Sequence, residues 1–123
     1  MGLTGDAAWE YFEANCTRDD LTIIEPVKDM INLYYKNQYE VIFLTSRSFK
    51  VKEKTQNFLN KIFDKNVFLI TRDENDYRQS SEFKESKLGM LMRIYDIRLF
   101  IDDDLKNCYV AQKLGIVTLN ILN

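Results

Sequence analysis

Arg98-Leu99-Phe100-Ile101-Asp102-Asp103-Asp104 is the stretch on which the fold turns. A short apolar run stopped by acids has the pattern of a strand covered on both faces in a parallel sheet. Ligands of open α/β sheets bind just beyond the carboxyl ends of such strands, so the acids stand at a natural binding address. Side-by-side carboxylates there suit a metal ion, while capping of the next helix by Asp102, Asp103 or Asp104 is the plainer reading. Both readings stay open at this point.

The flanking segments alternate. Upstream, Tyr39 to Leu44 is rich in β-branched and aromatic residues and stops at Thr45-Ser46-Arg47-Ser48, a polar strand-to-helix loop. Val67-Phe68-Leu69-Ile70 reads as a second strand and Ile116 to Ile121 as the last. Between and before them lie helical stripes. Thr4 or Asp6 caps a first helix that buries Trp9, Phe12 and Cys16; Pro26 opens a second, with Val27, Met30, Ile31 and Tyr34 on one side, which ends near Lys36-Asn37. Val51, Phe58, Leu59, Ile62 and Phe63 mark a third, and Phe83, Leu88, Leu91, Met92 and Tyr95 a fourth. Leu105, Cys108 and Tyr109 mark the last, which Gly115 is placed to end. This alternation predicts a Rossmann-like, three-layer α/β/α fold with a mostly parallel sheet.

Composition narrows the chemistry. A chain of 123 residues suits one domain over 1–123, with a real core and no cap domain. With 17 Lys and Arg against 19 acids there is no global basic field, which argues against strong nonspecific DNA binding. The absence of His removes Ser-His-Asp and Cys-His chemistry and histidine zinc sites, leaving carboxylates, Lys and hydroxyls. Cys16 and Cys108 sit among apolar neighbours on helical stripes and read as small core residues in a reducing, cytoplasmic setting. No segment approaches the roughly 18 apolar residues of a membrane span, and the first residues lack the pattern of a signal peptide.

Right-handed crossovers bring the ends of the strands to one edge. Thr45, the charged loop Thr71 to Ser81 and Asp102-Asp103 all belong there, with Lys84 or Lys87 entering from the next helix. A hydroxyl and an ammonium beside a carboxylate-held Mg²⁺ make a phosphate site. Each has a plainer reading alone, Thr45 as a helix cap and Lys84 as an exposed helix residue.

Taken together, Val41-Ile42-Phe43-Leu44-Thr45-Ser46-Arg47, then Arg72-Asp73-Glu74-Asn75-Asp76-Tyr77-Arg78 with Phe83-Lys84, then Leu99-Phe100-Ile101-Asp102-Asp103 and Gly115-Ile116-Val117-Thr118-Leu119 resemble the haloacid dehalogenase (HAD) superfamily. The resemblance is to the phosphatase domain of phage-type polynucleotide kinase-phosphatases and the small phage phosphatases like it, and it runs from about Trp9 to the end. It implies Mg²⁺-dependent hydrolysis of a nucleotide or nucleic-acid-end phosphomonoester through an aspartyl-phosphate. Thr45 matches that family's phosphate-binding hydroxyl, Lys84 its phosphoryl-neutralising lysine, and Asp102 and Asp103 its acid pair, with Asp103 as the direct metal ligand. Asn107 matches the polar position that supports the metal. Ser46 and Arg47 lie in the phosphate loop, Ser46 replacing the usual Gly. Arg72, Asp76 and Arg78 match a substrate-binding loop of the polynucleotide branch.

One departure matters. The family's reaction starts from Asp-x-Asp-Gly-Thr on the central first strand. Here Met1-Gly2-Leu3-Thr4-Gly5-Asp6 has no apolar run before its acid, and Asp19-Asp20-Leu21-Thr22 falls at the turn before the second helix. The domain is therefore expected to be N-terminally incomplete and to lack that strand, leaving a central gap with unpaired backbone groups. A fragment of a full phosphatase, a subunit completed by another copy or a partner chain, and a degenerate relative are the three accounts. The chain is expected to be inactive alone. The alternative is a noncatalytic phosphate- and metal-binding or regulatory module. A response-regulator receiver fits less well, because its acids come on the first strand.

Overall fold

A computed structural model describes residues 2–4 and 25–121. In chain order these form β1 (Gly2–Thr4), α1 (Glu25–Lys36), β2 (Glu40–Leu44), a 3₁₀ turn (Phe49–Val51), α2 (Lys52–Phe63), β3 (Phe68–Ile70), α3 (Ser80–Leu91), β4 (Phe100–Asp102), α4 (Leu105–Lys113) and β5 (Thr118–Asn120). The first helix read from the sequence, with Trp9, Phe12 and Cys16, lies outside the described residues, as does Asp19-Asp20.

Local chemistry accounts for the helix ends. In α1, Glu25 and Pro26 occupy the first turn and Lys36 the last, each at the end its charge or fixed φ favours. Ser48 Oγ accepts the Lys50 N–H and starts the 3₁₀ turn that feeds α2. That helix stops at Asp64, whose φ of 53° is left-handed. Gly115, at φ 85°, ends α4 as the sequence suggests.

All observed pairings are parallel: β1 with β2, β2 with β3, and β4 with β5. Alternation along the strands divides the core into two layers. Val41 and Phe43 of β2 and Ile101 of β4 pack with Val27 and Ile31 of α1 and Leu59 and Phe63 of α2. Leu44 and Phe100, pointing the other way, pack with Phe83 and Leu88 of α3 and Ala111 of α4. Helices thus cover both faces, and the three-layer parallel α/β architecture read from the sequence is the one observed.

The expected central gap is closed on one side only. Gly2, Leu3 and Thr4 pair in register with Glu40, Val41 and Ile42, and β1 lies near β4, but among the described residues no ladder joins β1 to β4, so the strands form a three-stranded sheet, β1-β2-β3, and a two-stranded one, β4-β5. Thr4 accordingly ends a strand, and the helix that Thr4 or Asp6 is expected to cap lies outside the described residues. The sequence pattern misses this strand because it is only three residues long, with a single large apolar side chain. What recruits it is the backbone: an unpaired row of N–H and C=O groups on β2 is satisfied by any extended segment.

Smaller differences also have physical reasons. Helix α3 ends at Leu91, and Tyr95 lies beyond it, edge-on to Phe68 at 6.5 Å with its hydroxyl donating to Glu40 Oε1 at 3.4 Å. Leu105 and Tyr109 of α4 are exposed, because the buried stripe of that helix is Asn107, Cys108 and Ala111. β4 runs one residue further than expected, through Asp102.

Phe43 is fully buried, with its ring centroid 5.4 Å from that of Phe63. Phe43→Ala is expected to lower unfolding free energy by about 3–5 kcal/mol in urea denaturation. A loss below about 1 kcal/mol would show that this layer does not hold β2 to α2.

Candidate functional site

β2 and β3 are parallel, so the residues that follow them emerge at one edge, and Lys84, next to the Phe83 ring that Arg72 of the β3 loop overlies, brings the end of β4 to the same edge through Asp102. Thr45 is fully buried there and extends the ladder, its N–H donating to Ile70 O at 3.0 Å. Its Oγ1 accepts the Arg47 N–H at 3.0 Å, which fixes the hydroxyl. The Arg47 guanidinium donates to Thr55 Oγ1 at 3.4 Å. The loop after β3 is stitched to this one: the Arg72 N–H donates to Arg47 O at 3.1 Å, and Arg72 Nε donates to the Ser46 carbonyl.

Within the β3 loop Asp76 is the organiser. Arg78 grips it with Nε at 3.0 Å and Nη2 at 2.8 Å, the Arg78 backbone N–H adds a bond at 3.2 Å, and Arg72 Nη1 stands 3.6 Å away. The Arg78 side chain is the chief reason that the Asp76 carboxyl is held down at about 2. Both guanidiniums lie over Phe83, at 5.0 Å for Arg72 and 5.9 Å for Arg78.

A second cluster is fully buried. Lys84 Nζ meets Asp102 Oδ2 at 3.0 Å, and both side chains have 0% exposure. Asn107 Nδ2 donates to the same oxygen at 3.1 Å and to Ser80 Oγ at 3.3 Å. Asp102 Oδ1 accepts the Asp104 N–H at 2.9 Å, so both of its oxygens are engaged. Asp104 takes the capping role for α4, accepting the Lys106 N–H at 2.8 Å. Asp103 is half-buried, and burial, followed by the neighbouring Asp102 charge, pushes its carboxyl up to about 6.

Seven of the ten residues singled out in the sequence fall into two groups, with Thr45, Arg47 and Asp103 outside both. Ser46, Arg72, Asp76 and Arg78 line one cleft, while Lys84, Asp102 and Asn107 form the buried cluster, and Lys84 is not the exposed helix residue of its plainer reading. Ser80 was missed; its position four residues before Lys84, on the same helix face, is the signal that pointed to it. Among the described residues no group of three or more His, Cys, Asp or Glu side chains could hold a metal. The oxygen donors present suit Mg²⁺ in kind: an Asp103 carboxyl whose ionised form a cation would favour, and Asn107 Oδ1, which is buried without a hydrogen-bond partner among the described residues. Among the described residues no helix is long and apolar enough to cross a membrane.

The family model of the polynucleotide kinase PNKP phosphatase domain matches residues 6–123. A solved structure of the Pnkp1/Rnl/Hen1 RNA repair complex contains a chain similar to this one, with a TM-score of 0.77 and 22% identity over 98% of this chain and 42% of that chain. A second structure of the Pnkp1/Rnl/Hen1 complex gives a TM-score of 0.76 at 22% identity, over 98% of this chain and 45% of the other. The chain spans less than half the length of these proteins, and at such identity the likeness establishes the fold. No curated protein matches.

Removing one partner of a buried ion pair strands the other charge, so Lys84→Met is expected to cost about 3–5 kcal/mol in urea unfolding, with Lys84→Met/Asp102→Asn recovering much of it. A single variant as stable as the parent would mean that the pair is not desolvated. The Asp76 carboxyl should titrate near pH 2 by NMR and move back toward the ordinary carboxylate range in Arg78→Ala. Because its folded value is depressed, its contribution to stability is present above the unfolded value of about 4 and lost as pH falls through 2.

Proposed function

The chain belongs to the polynucleotide kinase PNKP phosphatase-domain family, and from that premise we propose that its site serves Mg²⁺-dependent hydrolysis of a phosphomonoester on a nucleotide or nucleic-acid end. The observation that carries this reading is the buried Lys84–Asp102 pair, set at the same sheet edge as the fixed Thr45 hydroxyl. A desolvated ammonium is costly, and holding one in place at a strand end makes chemical sense where negative charge is to be met.

In this proposal Thr45 donates its hydroxyl proton to a phosphoryl oxygen, while the Arg47 N–H, held by one of the hydroxyl's two lone pairs, keeps the oxygen in place. Lys84 neutralises the phosphoryl group, and Asp102, braced by Asn107 and the Asp104 N–H, is the positioning residue that fixes the ammonium. Asp103, with Asn107 Oδ1 nearby in sequence, would hold the cation. Bound Mg²⁺ supplies Lewis-acid neutralisation of phosphoryl charge. Ser46, Arg47, Arg72, Asp76 and Arg78 shape the substrate side, where Asp76 keeps the two guanidiniums of its loop aligned.

The attacking carboxylate is the group these residues do not supply. The strand that closes the gap beside β2 is Gly2-Leu3-Thr4, without Asp-x-Asp. On the proposed reading the chain binds phosphate and does not turn it over until an aspartate is provided, by the same polypeptide or by a partner. That same strand favours a second reading, a noncatalytic phosphate- and metal-binding module.

The test is phosphate release from a 3′-phosphorylated oligonucleotide with Mg²⁺. The chain as it stands should release none, whereas a fusion placing an apolar segment ending in Asp-x-Asp-Gly-Thr before Thr4 should hydrolyse the substrate and lose that activity with Asp103→Ala. Robust Mg²⁺-dependent hydrolysis by the unmodified chain would show that the nucleophile lies elsewhere in it. A well-folded fusion that binds phosphate without turnover would favour the binding module.

A further inference from the structure

We propose that the cleft between the loops following β2 and β3 is a nucleobase-stacking subsite, with Tyr77 as the main platform and Phe49 as a second aromatic surface. The inference rests on the phosphoesterase reading above and specifies its substrate: a phosphate carried by a nucleoside, recognised by the flat face of its base.

Several observations converge on this cleft. It has a volume of about 440 Å³, within the range of small-molecule sites, and is lined by Ser46, so it opens directly from the residue after Thr45. Tyr77 lines it with 87% of its surface exposed, and Phe49 lines it with 38% exposed. An aromatic side chain that exposed contributes little to the core. Yet the loop that carries Tyr77 is held tightly on either side of it: Asp76 N–H donates to Asp73 O at 3.2 Å, Asn75 takes a left-handed turn at φ 68°, and Arg78 grips Asp76 through Nε and Nη2. A rigid loop presenting an unpacked ring loses little entropy when the ring is covered.

Charge points the same way. Three cations and three acids line the cleft, Lys50, Arg72 and Arg78 against Asp73, Glu74 and Asp76. Arg72 and Arg78 share Asp76, and Asp73 also meets Lys87, from outside the lining, at 3.6 Å. Such a balanced lining is poorly suited to following a long run of phosphates, which needs unmatched positive charge. A single base needs only a π-face, and every base has one, so recognition is tolerant of sequence.

The experiment uses the unmodified chain, its Tyr77→Ala, Tyr77→Phe and Phe49→Ala variants, and three probes titrated by NMR: inorganic phosphate, glycerol phosphate and thymidine 3′-monophosphate. The parent should bind the nucleotide about tenfold more tightly than glycerol phosphate. Tyr77→Ala should remove that advantage, Phe49→Ala should reduce it and Tyr77→Phe should keep it, with inorganic phosphate bound equally by all. Equal binding of nucleotide and glycerol phosphate by the parent, or an advantage that survives Tyr77→Ala, would overturn the stacking subsite and leave the phosphate site standing. Failure of every protein to bind inorganic phosphate would overturn the phosphoesterase reading and this inference with it.

Discussion

An ammonium and a carboxylate taken wholly out of water, Lys84 on α3 and Asp102 at the end of β4, set the geometry around them. Each ion loses several kcal/mol of solvation, and their attraction offsets this only if the remaining lone pairs and protons also find partners. Asp102 meets that condition through the Asp104 N–H and the Asn107 amide as well as Lys84. The pair must therefore form in one place, which fixes how α3 lies on the sheet. The rest of that layer is consistent with it: Phe83 and Leu88 pack with Phe100 and Ala111, and the Ser80 hydroxyl meets Asn107 across the two helices. Even the buried polar stripe of α4 follows, since Asn107 faces inward because Asp102 is there.

The surrounding charges are paired in the same local fashion. Arg78 and Arg72 close on Asp76, Lys87 on Asp73, and Lys84 on Asp102, so the sheet edge is rich in ions without presenting a strong field of one sign. A formal net charge of −2 adds no long-range pull on a polyanion. Whatever this edge binds, it is selected by short contacts at fixed positions and not by electrostatic capture from a distance.

Strands with covered faces were legible in the sequence because burial on both sides demands near-continuous apolar runs, as at Val41 to Leu44. Thr45, Asp102 and Lys84 were legible as polar residues at the edge where such strands end. Two kinds of feature were not. β1 is held by backbone pairing to β2, and backbone groups leave no trace in side-chain pattern. The inward face of α4 carries Asn107 beside Cys108, which was read as a core residue, while Leu105 and Tyr109 face water, so apolar spacing alone places two of the three stripe residues on the wrong side of that helix. Ser80 belongs to the same class, since its contact with Asn107 exists only once the chain has brought α3 and α4 together, whereas Asp104 was legible as a cap of α4.

Asp102 and Asp103, adjacent at the end of β4, meet different surroundings. Side chains alternate across a strand, so a carboxylate directed into one layer is followed by one with a different environment. Asp102 ends β4, is wholly buried and has both oxygens occupied; coordinating a cation would require it to surrender the contacts that compensate Lys84. Asp103 is half-buried, and its carboxyl is pushed upward by that burial and by the charge of Asp102 beside it. A cation near Asp103 would relieve that repulsion without disturbing the lysine. In the proposed function the duplicated acid is thus a division of labour, with Asp102 holding the ammonium and Asp103 left to meet the metal.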